Sequence, residues 1–355
     1  MEKYKVSAVI VNYDGKEYAD KCVNSIFEGG FDDLEVIVVD NGSVDGSVEY
    51  LKEKYRAYSE RLKVVALDKN YGPSYARNEG VRVAEGKYIG FLDNDTEVEK
   101  NWAEAAVAEF EKDAKVGIIQ CKLILSKERE KLDYVGEYIG QNGFLVQRAQ
   151  TAEVDYGQYD QKVEILAAKS AGMFIRKDAF EKISGFDPDY FIYVEETDLG
   201  WRCWLAGYKA IFIPESVVYH EFGTSTIILG KNKNNYNAKF HGCKNYILTL
   251  SKNLELKNIL TILPVHVFLW AGLGWFALFT KWDYRAFWWI HKAIGWNILN
   301  IGRNLRKRKH IQSTRVISDD DLFKIVMRKK PFFYYIQKVT GVHKVGNAEG
   351  FVKSK

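Results

Sequence analysis

Four runs of β-branched and aliphatic residues recur through the first 93 positions, and a stretch of helical character follows each of the first three. The runs are VSAVIVNY (6–13), LEVIVVD (34–40), LKVVALD (62–68) and YIGFLD (88–93). Between them lie EYADKCVNSIF (17–27), SVEYLKEKY (47–55) and SYARNEGVRVAEG (74–86). The runs are nearly unbroken in apolar residues, the pattern of strands covered on both faces. Their alternation with helices predicts an α/β chain on a mostly parallel, doubly wound sheet. In such sheets ligands bind beyond the carboxyl ends of the strands.

Those ends are polar in every case: Asn12-Tyr13-Asp14, Asp40-Asn41-Gly42-Ser43, Asp68-Lys69-Asn70 and Asp93-Asn94-Asp95. One such end is ordinary turn chemistry. Four along one edge predict a polar cleft. No GxGxxG follows the first run, and GxxxxGK[ST], HExxH and GxSxG are absent, so a glycine loop is not how a nucleotide would be held. Two carboxylates one residue apart offer another route. A divalent cation between them and a diphosphate turns repulsion into attraction, and Mg²⁺ and Mn²⁺ accept such oxygen ligands. The alternative is local: Asp95 or Thr96 as the cap of a helix at EKNWAEAAVAEF.

Residues 120–165 carry no assignable pattern. Beyond them GMFIRKD reads as a strand, AFEKI as a short helix and SGFDPDYF as a loop. EETDLGWRCWLAG reads as a helix ended by Gly207, and KAIFIP and VVYH as two strands. Glu195, Glu196 and Asp198 would suit a helix N-terminus through its dipole, with or without a chemical role. Trp201 and Trp204, three apart, read as core. His220 at a strand end is either structural or a ligand. Phe186, Tyr190 and Tyr193 are the candidates for touching an acceptor.

Six blocks in order, SAVIVNYDG, VIVVDNGSVDGS, NYGPSYARNEGV, YIGFLDND, GMFIRKDAFEKISGFDPDYFIYVEETDLGWRCWLAGY and VVYHEFGTS, resemble the inverting nucleotide-sugar-dependent glycosyltransferases of family 2, over roughly the first 225 residues. The GFDPDYF…EETDL block is most similar to the rhamnosyl- and galactofuranosyl-type branch. The resemblance implies a GT-A fold, a Rossmann-like sheet flanked by helices, with Mn²⁺ or Mg²⁺ as cofactor. It implies a donor side of Asn12, Asp40, Asn41, Asp68, Asn70, Arg77, Asp93 and Asn94, for a UDP-, dTDP- or GDP-linked sugar. Asp95, with Asp93 and His220, would hold the metal. Glu196 falls at the general-base position, with Glu195 and Asp198 beside it. The second acid of the pair is Glu where the family usually has Asp, which leaves the choice between Glu195 and Glu196 open. QxxRW, the mark of processive synthases, is missing. A sugar nucleotidyltransferase would need a basic glycine-rich loop after the first strand, and VNYDGKEYADK supplies none. A non-catalytic membrane-bound binder of nucleotide or carbohydrate would not require the intact acids.

Charge divides the 355 residues. Residues 231–355 carry 23 Lys and Arg against six Asp and Glu, a net of +17, whereas residues 1–230 have a net of −13. This suggests an acidic catalytic body (1–230) and a basic C-terminal region (231–355) that meets something anionic. Asn258 to Thr280 holds no formal charge, and as a helix its 23 residues would run about 35 Å, enough to cross a bilayer. Pro264, His266, Gly272 and Gly274 leave a re-entrant or interfacial hairpin open. Over 282–304 Arg285, Lys292 and Arg303 share one face, with Phe287, Ile290, Ile294, Ile298 and Ile301 opposite, as in a helix lying among lipid headgroups. RNLRKRKH then suits anionic lipid. A bundle packed on the catalytic body, with its basic run solvated, is the alternative. The basic residues accompany an apolar face and not a groove-reading motif, so nucleic acid is not expected. The N-terminal run is too short and β-branched for a signal peptide. The expectation is a monotopic or once-inserted protein on the cytoplasmic face of the membrane, with a polyprenyl-linked acceptor. Cys22, Cys121, Cys203 and Cys243 are spaced as free thiols.

Overall fold

The computed structural model describes residues 2–221, 236–331 and 334. Its centre is a parallel block in the order β3-β2-β1-β4, formed by β1 (Tyr4–Asn12), β2 (Leu34–Asp40), β3 (Leu62–Ala66) and β4 (Gly86–Asp93). The crossovers are α1 (Lys16–Glu28), α2 (Ser47–Lys54) and α3 (Pro73–Val83). Every residue of β2 is buried, as its unbroken apolar run requires. Register brings Asn12 opposite Asp40 and Val11 opposite Asp93, so three strand ends finish level.

Beyond β4 the sheet turns mixed. After Asp93-Asn94-Asp95 the chain doubles back as β5 (Thr96–Val98). Thr96 therefore starts a strand, and its hydroxyl donates to the Asp93 carbonyl at 2.8 Å. The helix that follows, α4 (Trp102–Lys112), is preceded by Asn101 and is not capped by Asp95. The unassigned middle is β6 (Val116–Leu125), β7 (Lys131–Tyr134), β8 (Glu137–Gly140), β9 (Leu145–Gln147), β10 (Glu153–Val154) and β11 (Val163–Ile165). β12 (Met173–Arg176) lies antiparallel between β4 and β6 and leads into α5 (Lys177–Lys182). α6 (Glu195–Leu205) follows. The two strands expected over 209–220 are one, β13 (Lys209–His220), bulged between Phe212 and Val217. Trp201 and Trp204 are core, and all four cysteines are buried and free.

The C-terminal helices are α7 (Tyr236–Asn253), α8 (Leu256–Lys281), α9 (Tyr284–Leu299), α10 (Ile301–Ser313) and α11 (Asp319–Val326). After them β14 (Met327–Arg328) pairs with β8. The proposed 230/231 boundary lies outside the described residues. The described helices are fused to the catalytic body. Lys252 of α7, only 1% exposed, bonds Asp187 at 2.7 Å and Asp198 at 3.1 Å. Asn253 and Arg202 complete the shell of Asp198. Arg303 pairs with Asp189, and Lys307 with both Asp187 and Asp189. Arg308 donates to carbonyls of Ser251 and Leu254. Arg303, Lys307 and Arg308 of RNLRKRKH thus answer charges and carbonyls of this chain, as in the alternative of a bundle packed on the catalytic body. The apolar face expected to meet lipid over 282–304 divides: Ile298 is 65% and Ile301 60% exposed, whereas its first half packs inside the bundle. Ile290 and Ala293 are fully buried against Cys243 and Ile247, and the helix ends at Leu299.

Burial opposes ionisation of Asp187, but Lys252 and Lys307 outweigh it and hold its carboxyl well below the usual range. A depressed folded-state value stabilises the fold above about pH 4, and that stabilisation is lost as pH falls toward the folded-state value. Lys252→Ala leaves two buried carboxylates short of a partner and should cost about 3–5 kcal/mol. Urea unfolding at neutral pH measures this, and the deficit should shrink on acidification.

Candidate active site

A chain of side-chain hydrogen bonds floors the cleft. Asp40 accepts from the Ser43 backbone at 2.9 Å and from Asn12 Nδ2 at 2.9 Å, and Asn12 Oδ1 accepts from Asn94 Nδ2 at 2.8 Å. Asn12, Asp40 and Asn41 are buried. These amides and this carboxylate fix one another and the loops after β2, β1 and β4. Asn41 extends the arrangement: it donates to Asn70 Oδ1 at 3.0 Å and accepts from the Tyr71 backbone at 3.0 Å. Asn70 Oδ1 also receives Gly72 N. Asp68 is exposed at the end of this row. The structure therefore brings the donor-side residues to one edge, with Asn12, Asp40 and Asn41 as its framework.

At the far end β5 pairs with β13 so that Thr96 faces His220. This pairing places Asp95 beside the imidazole, with His220 Nε2 3.4 Å from Asp95 Oδ1. One ligand atom each from Asp93, Asp95 and His220 lies within 4.8 Å of the others. Two carboxylate oxygens and one imidazole nitrogen fit a divalent cation, and the nitrogen suits Mn²⁺ better than Mg²⁺. Asp133, fully buried on β7, bonds His220 Nδ1 at 2.8 Å. It fixes which ring nitrogen is presented to Asp95. Burial disfavours a charged imidazole, but the bonds to Asp133 and Asp95 outweigh it and raise His220 to about 10. A bound cation would have to displace that proton.

The opposite wall is the start of α6. Phe191, Tyr193 and Val194 all have positive φ, at 62°, 72° and 67°. For a β-branched Val this conformation is strained. Asn245 of α7 holds the loop in it: its Nδ2 lies 2.6–3.0 Å from the carbonyl oxygens of Tyr190, Ile192 and Tyr193. The turn at Val194 sets which carboxylate faces where. Glu195 points inward to Arg77 at 3.2 Å, and its other oxygen is buried without a partner among the described residues. Burial first, then the charge of Glu196, raise the Glu195 carboxyl against the pull of Arg77. Glu196 is half-buried and accepts from the Ser170 hydroxyl at 2.7 Å and the Ser170 backbone at 3.3 Å.

Arg77, 4% exposed, also bonds Asp93 at 3.0 Å. It bridges Asp93 and Glu195 beneath the cleft, where the sequence placed it along the donor. Asp198 is enclosed in the Arg202–Lys252 cluster, away from solvent. Phe186 is buried against Phe91 and Phe180, and buried Tyr190 bonds Thr249 at 2.7 Å. Of the three aromatic candidates only Tyr193 is exposed, joined by Phe191.

Residues 7–183 match the family model described as Glycosyl transferase family 2. The chain carries a family 2 glycosyltransferase domain. The putative teichuronic acid biosynthesis glycosyltransferase TuaG of Bacillus subtilis is 34% identical over 99 residues, 28% of this chain and 39% of that protein. Glycosyltransferase AglE of Haloferax volcanii is 28% identical over 223 residues, 61% of this chain and 66% of that protein. The match thus spans less than two thirds of either relative. Among solved structures, GalNAc-T7 with UDP, GalNAc and Mn²⁺ superposes with a TM-score of 0.63 at 16% identity, covering 94% of this chain and 58% of that one. Mannosyltransferase PcManGT of Pyrobaculum calidifontis, with GDP-Man and Mn²⁺, gives 0.51 at 15% identity, covering 87% and 85%. The fold is GT-A.

Sequence reasoning missed three residues that shape this family 2 site. Asp133 lies in a strand of four residues with no local pattern, Ser170 in a 3-10 turn, and Asn245 outside the matched segment. Asp133→Asn keeps the shape but weakens control of the His220 tautomer. It should lower Mn²⁺ affinity about 10–100-fold with the fold retained, as read by Mn²⁺ electron paramagnetic resonance titration with a nucleoside diphosphate present.

Proposed function

We propose that the protein is a metal-dependent, inverting glycosyltransferase that moves a sugar from a nucleoside diphosphate to a membrane-associated, polyprenyl-linked acceptor. One observation carries the reading. Arg77 ties the strand end bearing Asp93 to the helix start bearing Glu195 and Glu196, so a metal-type cluster and a carboxylate pair wall one cleft. The solved neighbours that hold UDP or GDP-mannose with Mn²⁺ share the fold. The GFDPDYF…EETDL block supports placement near the rhamnosyl- and galactofuranosyl-type members.

Asp95, Asp93 and His220 would hold Mn²⁺ or Mg²⁺, which when bound neutralises the leaving diphosphate. Asp40, Asn41 and Asn70 sit where a base and ribose would rest on the strand ends. Glu196, the more exposed of the pair, takes the proton of the acceptor hydroxyl. The hydroxyl oxygen bonds the anomeric carbon as the bond to the diphosphate breaks on the opposite face, so the configuration inverts. Ser170 holds the Glu196 carboxylate in place, and Asn245 holds the loop that presents it. The exposed apolar surface of the C-terminal helices supports a working position on the cytoplasmic face of a membrane, where a lipid-linked acceptor is met.

Glu196→Gln should cut turnover by at least about 10² with donor binding little changed. Glu195→Gln takes a carboxylate from buried Arg77 and should lower turnover through that brace, with a fall in melting temperature that Glu196→Gln does not show. Donor hydrolysis and transfer, with and without Mn²⁺, report both turnovers. Turnover retained in Glu196→Gln would remove the base from this reading.

A further inference from the structure

Among the described residues α8 is the helix long and apolar enough to cross a membrane. Its 26 residues would run about 39 Å against a hydrocarbon core of about 30 Å. Its packing argues for another disposition. Leu260, Phe268, Trp275 and Phe279 fall on one face, within an arc of about 100°, and all are exposed, Phe268 at 74% and Phe279 at 70%. The opposite face is held at both ends. Ile259, Ile262 and Leu263 join the core of the catalytic body, and His266, fully buried, hydrogen-bonds the Asn142 carbonyl at 2.9 Å. Further along, Gly274 lies against His291 and Ile290 of α9. If α8 crossed a bilayer, its first half would drag the polar turn at 140–143, which His266 holds, into the acyl layer, where unsatisfied backbone groups are costly.

We infer that α8 lies in the plane of one membrane leaflet, its outward stripe sunk to the headgroup–acyl boundary, and that the surface it fits is an anionic phospholipid monolayer. The inference rests on the membrane part of the proposed function and fixes how contact is made. Charge selects the partner. Residues 256–313 hold nine Lys and Arg against one acid, Asp283. Lys257, Arg303 and Lys307 pair with acids of this chain and Arg308 with its carbonyls. Lys281, Arg285, Lys292, Arg306 and Lys309 stay exposed with no ion pair among the described residues. Each such cation adds to the attraction of an anionic surface. Exposed Trp282, Tyr284 and Trp288 at the α8–α9 turn are aromatics of the kind that settle at headgroup level.

The test uses the full chain with an environment-sensitive fluorophore on Leu260→Cys, Phe268→Cys or Phe279→Cys; the four native thiols are buried. Each variant is mixed with phosphatidylcholine vesicles containing about 30% phosphatidylglycerol. The expected result is a blue shift at all three positions with equal quenching by shallow lipid-borne quenchers, lost in pure phosphatidylcholine. A deep position 268 between two shallow flanks would overturn the in-plane arrangement in favour of a crossing helix and leave the membrane acceptor standing. No shift at any position, with no flotation, would overturn both.

Discussion

The geometry of the cleft depends on one buried guanidinium. Arg77 contacts Asp93 at the end of β4 and Glu195 at the start of α6, two elements separated by about a hundred residues of sequence. Its planar fork fixes the angle between the two carboxylates as well as their separation, which an ammonium would not do. An unpaired cation at that depth would be costly, so the two acids and the arginine require one another. Arg77 therefore works as the brace that keeps a metal-type cluster and a carboxylate pair within reach of one ligand.

A second layer of constraint comes from the C-terminal helices. The loop before Glu196 holds three residues at positive φ, a conformation that persists only when its surroundings enforce it. Asn245, Lys244 and Lys252 of α7 all bond that loop, at carbonyls and at Asp187. The first of these helices, α7, therefore sets the carboxylate pair from behind. Part of the charge asymmetry between the two ends of the chain serves this contact.

The parallel block and its polar edge were legible because they rest on local pattern. Unbroken apolar runs gave β1 to β4, and the Asp and Asn that end them do converge. The strands between 116 and 165 were not legible, because segments of two to four residues such as β7 and β10 exist only through partners distant in sequence. Asp133 illustrates the point: its meeting with His220 across 87 positions follows from the strand pairings of β6 with β7 and β13. The two glutamates could not be separated from sequence, since the left-handed Val194 decides which turns inward. Over 282–304 the periodicity was right, with Arg285 and Lys292 exposed and Ile290 buried. That α7 covers part of the apolar face, at Ile290, was not legible, because the contact joins helices distant in sequence.

The central claim is that Asp93, Asp95 and His220 hold a divalent cation over which a nucleoside diphosphate lies, facing Glu196. Anomalous diffraction at the manganese edge, from crystals grown with Mn²⁺ and a nucleoside diphosphate, tests it most directly. One strong peak is expected at about 2.0–2.3 Å from Asp95 and His220 Nε2, with the diphosphate between the ion and Glu196. A nucleotide bound in the cleft without that peak, or an ion held elsewhere on the surface, would contradict it.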